Sequence, residues 1–480
     1  MTDLQKNITK RVFDIFEEIT KIPRGSGNMT DIADFCVEFA KKKSLKYLRD
    51  QSNNIIIFKD GTFEMKNCEP VILQGHLDMV CQQTPDSTHN FKINGPQIII
   101  DGDFLRANNT TLGADNGIAV AMIMAILESN DLQHPPIEAV FTTDEEIGLL
   151  GAAALDCSVL KSKRMINLDS EEDDTVTVSC AGGSEFKVSV DLPNNKMYGT
   201  EITLTVSGLK GGHSGVEINK GRVNANKLLG RILNHIHNKA EFEIISVCGG
   251  SKSNAITPTS TVKICSDDFE QIVTVLNEYI NIIKNEISFR ESDFNFEIKL
   301  GEQKEYKTFG KDLTNKFVYF LVSAPQGVVD MSAEIEGLVE TSLNLGVIYS
   351  NENELVVIFS LRSNKVTALE FLKEKLVTFT KCLEGNIEIY GDYPPWEFKA
   401  DSDLRNIYTE CFKQHYGNDP KIEAIHAGLE CGVFSLKIDG LDCIAVGPSM
   451  FDVHTVNERL SISSTKEFFK LLIKVLEKMD

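Results

Sequence analysis

The stretch Val71–Val80, VILQGHLDMV, constrains this chain more than any other. Val71, Ile72 and Leu73 carry no charge and read as a buried strand running into Gly75. His76 and Asp78 follow, one residue apart. An imidazole is a good ligand for a transition metal. A carboxylate two residues on can hold its second ring nitrogen and fix the tautomer. Taken alone, the same pattern also reads as a buried strand end with a satisfied histidine. The two readings separate only against the rest of the chain.

Other strand ends repeat the arrangement. Ile137–Thr143 is a buried strand that ends on Asp144, Glu145 and Glu146, with a Gly- and Ala-rich helix expected from Ile147. Adjacent carboxylates usually form a solvated turn, but these directly follow a core strand. Arg164–Leu168 is a strand that ends on Asp169. In TTLGADNGIAVAMIMAILE, Gly113 and Gly117 flank Asp115 and Asn116, and a strongly apolar helix runs to Glu128. By itself Asp115 reads there as an N-cap. Near the carboxyl end, strand Cys443–Val446 leads through Gly447 and Pro448 to His454. Strands alternating with helices imply an α/β fold with a mostly parallel, mixed sheet. Ligand sites in such sheets gather at the carboxyl ends of strands.

The remaining chain organises itself around that sheet. Residues 1–70 read as helix, loop, helix and strand. Phe13, Ile15, Phe16 and Ile19 lie on one helical face, Thr30 is placed to cap a helix over Asp31–Lys43, and Asn54–Phe58 is a short strand. Residues 98–107 alternate like a hairpin. From about 186 to 392 the pattern changes to strands with long helices, and the tail from Pro394 resumes the earlier style with a helix over Asp403–Tyr416. A chain of 480 residues is too long for one ordinary core. The expectation is a discontinuous catalytic domain, 1–185 with 393–480, and an inserted α+β domain, 186–392. Within the insertion, helix, strand, strand, helix, strand is met twice, beginning at Asn224 and at Thr314, which points to an internal duplication.

Composition excludes some partners. A net charge of -21 argues against nucleic acid. No apolar run reaches the roughly 18 residues of a membrane span, and the charged N-terminal stretch has no signal-peptide core. The 11 cysteines include no CxxC pair, as expected of reduced thiols in the cytoplasm.

His76, Asp115, Glu146, Asp169 and His454 form a donor set of two imidazoles and three carboxylates. Such a set suits two divalent ions, zinc foremost, with manganese or cobalt as alternatives. One carboxylate must bridge ions about 3.5–4 Å apart. Glu145, adjacent to Glu146, is the candidate for moving a proton from water to a leaving amine.

At this point the chain resembles the M20 metallopeptidase family, in its dipeptidase branch. The resemblance rests on IPRGSGN (22–28), QGHLDMV (74–80), TTLGADNGIA (110–119), TTDEEIG (142–148), NLDSE (167–171), GGHSG (211–215), NANKLL (224–229), HAGLECG (426–432) and the final GP…H. It implies a zinc-exopeptidase-like catalytic domain carrying an inserted lid, and hydrolysis of dipeptides, Xaa-His among them. It implies that His76 and Asp169 hold one metal, Glu146 and His454 the other, and that Asp115 bridges them through a turn whose Asp115–Asn116 peptide is cis. Asp78 would orient His76, and Glu145 would be general base and acid. His213 would polarise the substrate carbonyl. Arg362 would take the substrate's C-terminal carboxylate, with Asn254 a further candidate for that end. Roles for His426 and Glu430 stay open. A deacylase of N-acyl amino acids would need the same metals and clamp and is the alternative. The doubled insertion suggests that one chain supplies every group, and it leaves room for a homodimer formed through the lid.

Overall fold

A computed structural model describes residues 3–479. Backbone contacts divide the chain into two compact units. The first comprises Met1–Cys180, Trp396–Ala424 and Leu429–Asp480, and the second Ala181–Pro395 with Ile425–Gly428. The segment 425–428, expected in the catalytic part, therefore packs with the second unit. The cause is local bonding: Ala181 N donates to Ile425 O at 3.1 Å, and the His426 ring bonds Ser342 and Asn364. No helix among the described residues is long and apolar enough to cross a membrane.

The first unit is layered about one eight-stranded sheet. Its strand order is Lys46–Arg49, Ile55–Lys59, Ile137–Thr142, Val71–His76, Arg164–Asn167, Asp442–Ala445, Thr175–Cys180, Lys421–Ile425. The central strands 71–76, 137–142, 164–167 and 442–445 run parallel, so their carboxyl ends open on one edge. Helix Ala114–Glu128 is buried almost throughout. It has no polar face because it packs between strand 71–76 and helix Asp3–Thr20. The latter buries Val12, Ile15, Phe16 and Ile19, the i, i+3, i+4, i+7 spacing of one helical stripe. Phe13 lies off that stripe and is only half-buried. Two local expectations fail for backbone reasons. Met29 is already near-helical (φ -96, ψ -8), so Thr30 sits inside the helix Thr30–Lys42 and caps nothing. The helix expected from Ile147 begins only at Leu150, because Gly148 and Leu149 both adopt positive φ. Residues 98–107 form the expected hairpin.

The second unit carries a sheet ordered Asn295–Thr308, Asn195–Ser207, Ser260–Ser266, Glu243–Gly249, Val339–Ser350, Glu354–Ser363, Gly182–Asp191, Asn386–Tyr393. The order found, from Ala225 to Thr308 and from Gly310 to Tyr393, is helix, three strands, helix, strand, one short strand more in each half than expected (Ala255–Ile256 and Gly327–Met331). From the centre outward each half places its two longer strands, one strand from the opening pair (182–191 or 195–207), and its last strand, the short ones lying off this path. In the sheet the halves pair at Cys248↔Tyr349 and Gly249↔Ile348, and helix Ala225–His237 packs on helix Gly310–Ser323. Between Ala255 and Ser266 the chain is split at Pro258, which has no N–H to give a ladder. The first part, Ala255–Ile256, pairs instead with Gly212–His213.

Candidate active site

The candidate ligands converge from separate turns of the first unit. His76 closes its strand and is 1% exposed. Its Nε2 lies 3.1 Å from Asp115 Oδ1 and 3.5 Å from Asp169 Oδ1. His454, on a positive-φ turn, places Nε2 2.9 Å from Asp115 Oδ2 and 3.0 Å from Glu146 Oε1. Each oxygen of Asp115 thus faces its own imidazole, and each imidazole has its own second carboxylate. His76, Asp115 and Glu146 can offer ligand atoms within 4.8 Å of one another. Ligands about 2.0–2.2 Å from a shared tetrahedral ion lie roughly 3.3–3.6 Å apart, close to the distances found.

Asp115 is not a cap. Its backbone is non-helical (φ -77, ψ 108), and the Asp115–Asn116 peptide is cis. The helix start is served from afar. Glu458 accepts from the amides of Leu112 (2.7 Å), Gly113 (3.0 Å) and Ala114 (2.8 Å), which leaves the Asp115 side chain to the imidazoles. Arg24 lies beneath, 1% exposed, donating to the carbonyls of Leu77 and Asp78 at 2.9 and 3.0 Å and to that of Gly113. Asp78 joins two of the turns. It stands 3.4 Å from His76 Nδ1 and accepts from the amides of Glu145 (3.0 Å) and Glu146 (3.2 Å) and from Ser26 Oγ (2.8 Å).

The electrostatics describe a site built for cations. Burial opposes charge on Asp115, yet hydrogen bonds from His454 and His76 hold it well below the usual carboxylate range. Burial also opposes the His76 imidazolium, but Asp169, Asp115 and Asp78 carry its pKa well above the ordinary value. Bonds to Asp115 and Glu146 raise His454 to about 11. Burial, with Asp169, Glu430 and Glu146 nearby, pushes Glu145 well above the ordinary carboxyl range. Burial likewise raises Glu146 and Asp169. Glu171, close to Asp115 and Asp169, is pushed to about 7, chiefly by burial. So many buried carboxylates around two imidazoles repel one another unless positive charge stands among them. The donor set fits divalent metal.

In the second unit, His213 Nδ1 accepts from the amides of Gly215 and Val216, both at 3.2 Å. The ring proton therefore sits on Nε2, as a donor. Burial and then Arg362 lower its pKa, so the ring is neutral. Arg362, buried, donates from Nη1 to Tyr393 Oη at 2.8 Å. Arg362 and Asn254 line one cavity of about 780 Å³. His426 is held between Asn364 Oδ1 (3.2 Å from Nδ1) and Ser342 Oγ (2.7 Å from Nε2). Burial, Arg362 and His213 bring it down to about 3.

Sequence reasoning passed over Arg24, Glu458 and Glu171. The signal for the first two is weak: a charge inside IPRGSGN and another in VNERL, each flanked by ordinary loop residues. Glu430, left open, is fully buried and accepts from Gln74 Nε2 (2.5 Å) and Thr142 Oγ1 (2.7 Å) beneath the ligand strand. Other histidines have plain structural contacts: His134 with Pro135 O, His235 stacked on Tyr279, His415 beside Glu467.

Known proteins resemble this chain along its whole length. The Escherichia coli (strain K12) protein named cytosol non-specific dipeptidase is 34% identical over 483 residues, 100% of this chain and 99% of that one. The crystal structure of aminoacylhistidine dipeptidase from Vibrio alginolyticus matches with a TM-score of 0.89 and 34% identity, covering 98% of this chain and 96% of that one. The structure of aminopeptidase PepT from Bacillus cereus, at 15% identity and a TM-score of 0.57 over 98% of both chains, shares the fold. The sequence model of peptidase family M20/M25/M40 matches residues 72–478. A two-imidazole, three-carboxylate cluster on the strand ends of a chain so matched leaves one assignment: this protein belongs to peptidase family M20/M25/M40.

Proposed function

We propose that this protein is a two-metal dipeptidase of broad specificity, Xaa-His dipeptides included, acting in the cytoplasm. The observation that carries the reading is Asp115, whose two oxygens each face a different imidazole. Full-length similarity to a protein named cytosol non-specific dipeptidase supports the substrate class and the compartment. His76, Asp169 and Asp115 Oδ1 would hold one ion, and His454, Glu146 and Asp115 Oδ2 the other, zinc being the best match to these donors. When bound, such ions would lower the pKa of a water and polarise a substrate carbonyl.

The chain's own groups do the rest. Asp78 orients His76 and fixes the turn that carries Glu145 and Glu146. Glu145 takes the proton of the attacking water and returns it to the leaving amine; its raised pKa suits a group that must both accept and give. His213 donates its Nε2 proton toward the carbonyl oxygen, where negative charge develops. Arg362 receives the C-terminal carboxylate, with Asn254 lining the same cavity.

The direct test assays free dipeptides such as Ala-His against N-acetyl amino acids, with the metal content of the same sample measured. Turnover of N-acetyl amino acids alone would replace this reading by the deacylase. Every group is assigned to one chain, and a homodimer through the inserted unit adds none. Inactive His213→Ala and Glu145→Gln chains, mixed under subunit exchange, should therefore recover nothing.

A further inference from the structure

One face of the second unit's sheet is polar in a way its fold does not require. Strand Gly182–Asp191 pairs with Glu354–Ser363 in the register Glu185↔Ser360 and Gly183↔Arg362. Directly opposed residues share a face. Glu185, Ser360 and Arg362 therefore stand together on one side, while Phe186 and Phe359 fill the core on the other. A side chain at position 183 would collide with the Tyr393 ring. Gly183 thus leaves room for the tyrosine that accepts from Arg362.

These groups line the cavity of about 780 Å³, with Val347 and Ile358 as apolar wall. Three charged residues line it, Glu185, Arg362 and the exposed Lys252, and the first two are not spent on each other. Glu185 Oε2 and Arg362 Nε are each buried without a partner. Burial raises the Glu185 pKa, while the nearby Ser253 and Ser360 hydroxyls and the Arg362 charge favour its carboxylate form. An anion and a cation held apart in one cavity match a ligand with a carboxylate at one end and an N–H group at the other. In a dipeptide whose terminal carboxylate lies on Arg362, the nearest N–H group that varies is the side chain of the C-terminal residue. Val347 and Ile358 suit the hydrocarbon part of such a side chain.

We propose that Glu185 is a specificity-determining residue: its carboxylate accepts a hydrogen bond from a basic C-terminal side chain, that of lysine, arginine or histidine. This rests on the reading of Arg362 as the carboxylate clamp. A charged hydrogen bond of this kind discriminates by about tenfold or more against a side chain that lacks it.

The experiment has two arms on the metal-loaded protein. In the first, kcat/KM is measured for Ala-Lys and Ala-Leu, and in parallel for N-acetyl-lysine and N-acetyl-leucine. In Glu185→Gln the lysine-to-leucine ratio should fall about tenfold, and in Glu185→Lys an Ala-Glu-to-Ala-Leu ratio should rise. Ratios unchanged in both variants, including a uniform loss on all substrates, would make Glu185 a support for Arg362 and overturn the proposal. If only the acetylated pair turns over, the dipeptidase reading fails while the same ratio still judges Glu185. The second arm needs no variant. By calorimetry free L-lysine should bind at least about tenfold tighter than L-norleucine, and equal affinities would also overturn the proposal.

Discussion

The two units assemble their polar groups in opposite ways. In the first, His76 closes a parallel strand, Asp169 and Glu146 lie just past two others, Asp115 and His454 stand in turns, and like charges crowd together. In the second, Glu185, Ser360 and Arg362 lie inside strands and meet because the register places them on one face. There the charges are of both signs, and burial holds His213 and His426 below the ordinary imidazole pKa. The first arrangement depends on a cation to hold it. The second depends on sheet geometry and is complete before any ligand arrives.

Substitutions should separate the two. Glu145→Gln should lower kcat by about 10²–10⁴ with metal content unchanged. A simultaneous loss of metal would move Glu145 among the ligands. Arg362→Met should lower kcat/KM by about 10- to 100-fold, mostly through KM, again with metal retained. An effect confined to kcat would detach that cavity from substrate binding.

Acidity should sharpen the contrast. Without metal, hydrogen bonds to Asp115 and Glu146 keep His454 protonated up to about pH 11, and His76 is raised in the same direction. Those protons must leave before Nε2 binds an ion, so metal affinity should rise with pH. The slope should be up to tenfold per unit for each proton released, and titrations in buffers of different ionisation enthalpy would count them. The second unit should answer differently. His426 is held down to about 3, so the unfolded chain binds more protons than the folded one between there and the ordinary 6.5. Its contribution is complete above 6.5 and should be lost as pH falls through that window. His426→Gln should flatten this limb in acid-unfolding curves.

The smallest effect belongs to the cap. Glu458→Gln keeps one acceptor for the amides of Leu112, Gly113 and Ala114 but removes the charge. A loss of about 1–3 kcal/mol in stability is expected from denaturant melts of metal-free protein.

These differences also explain what could be seen from the residues alone. His76, Glu146 and Asp169 announce themselves because polar groups directly follow apolar strands, and Asp115 because glycines bracket it. Local pattern was enough there, since the parallel sheet brings strand ends together by topology. Glu458 caps a helix start more than three hundred residues away, and Arg24 bonds carbonyls more than fifty away. No periodicity records such partners. The same holds for Glu185, whose neighbours exist only in one register of one strand pair. Boundaries failed where backbone angles override propensity, as at Met29 and at Gly148 and Leu149.

Glu458 and His454 share one loop, at positions 454 and 458 of 480. The anion that frees Asp115 and the imidazole that faces its second oxygen are therefore set by one stretch of backbone, so a displacement of that loop would take the cap and the far partner from the Asp115 turn together.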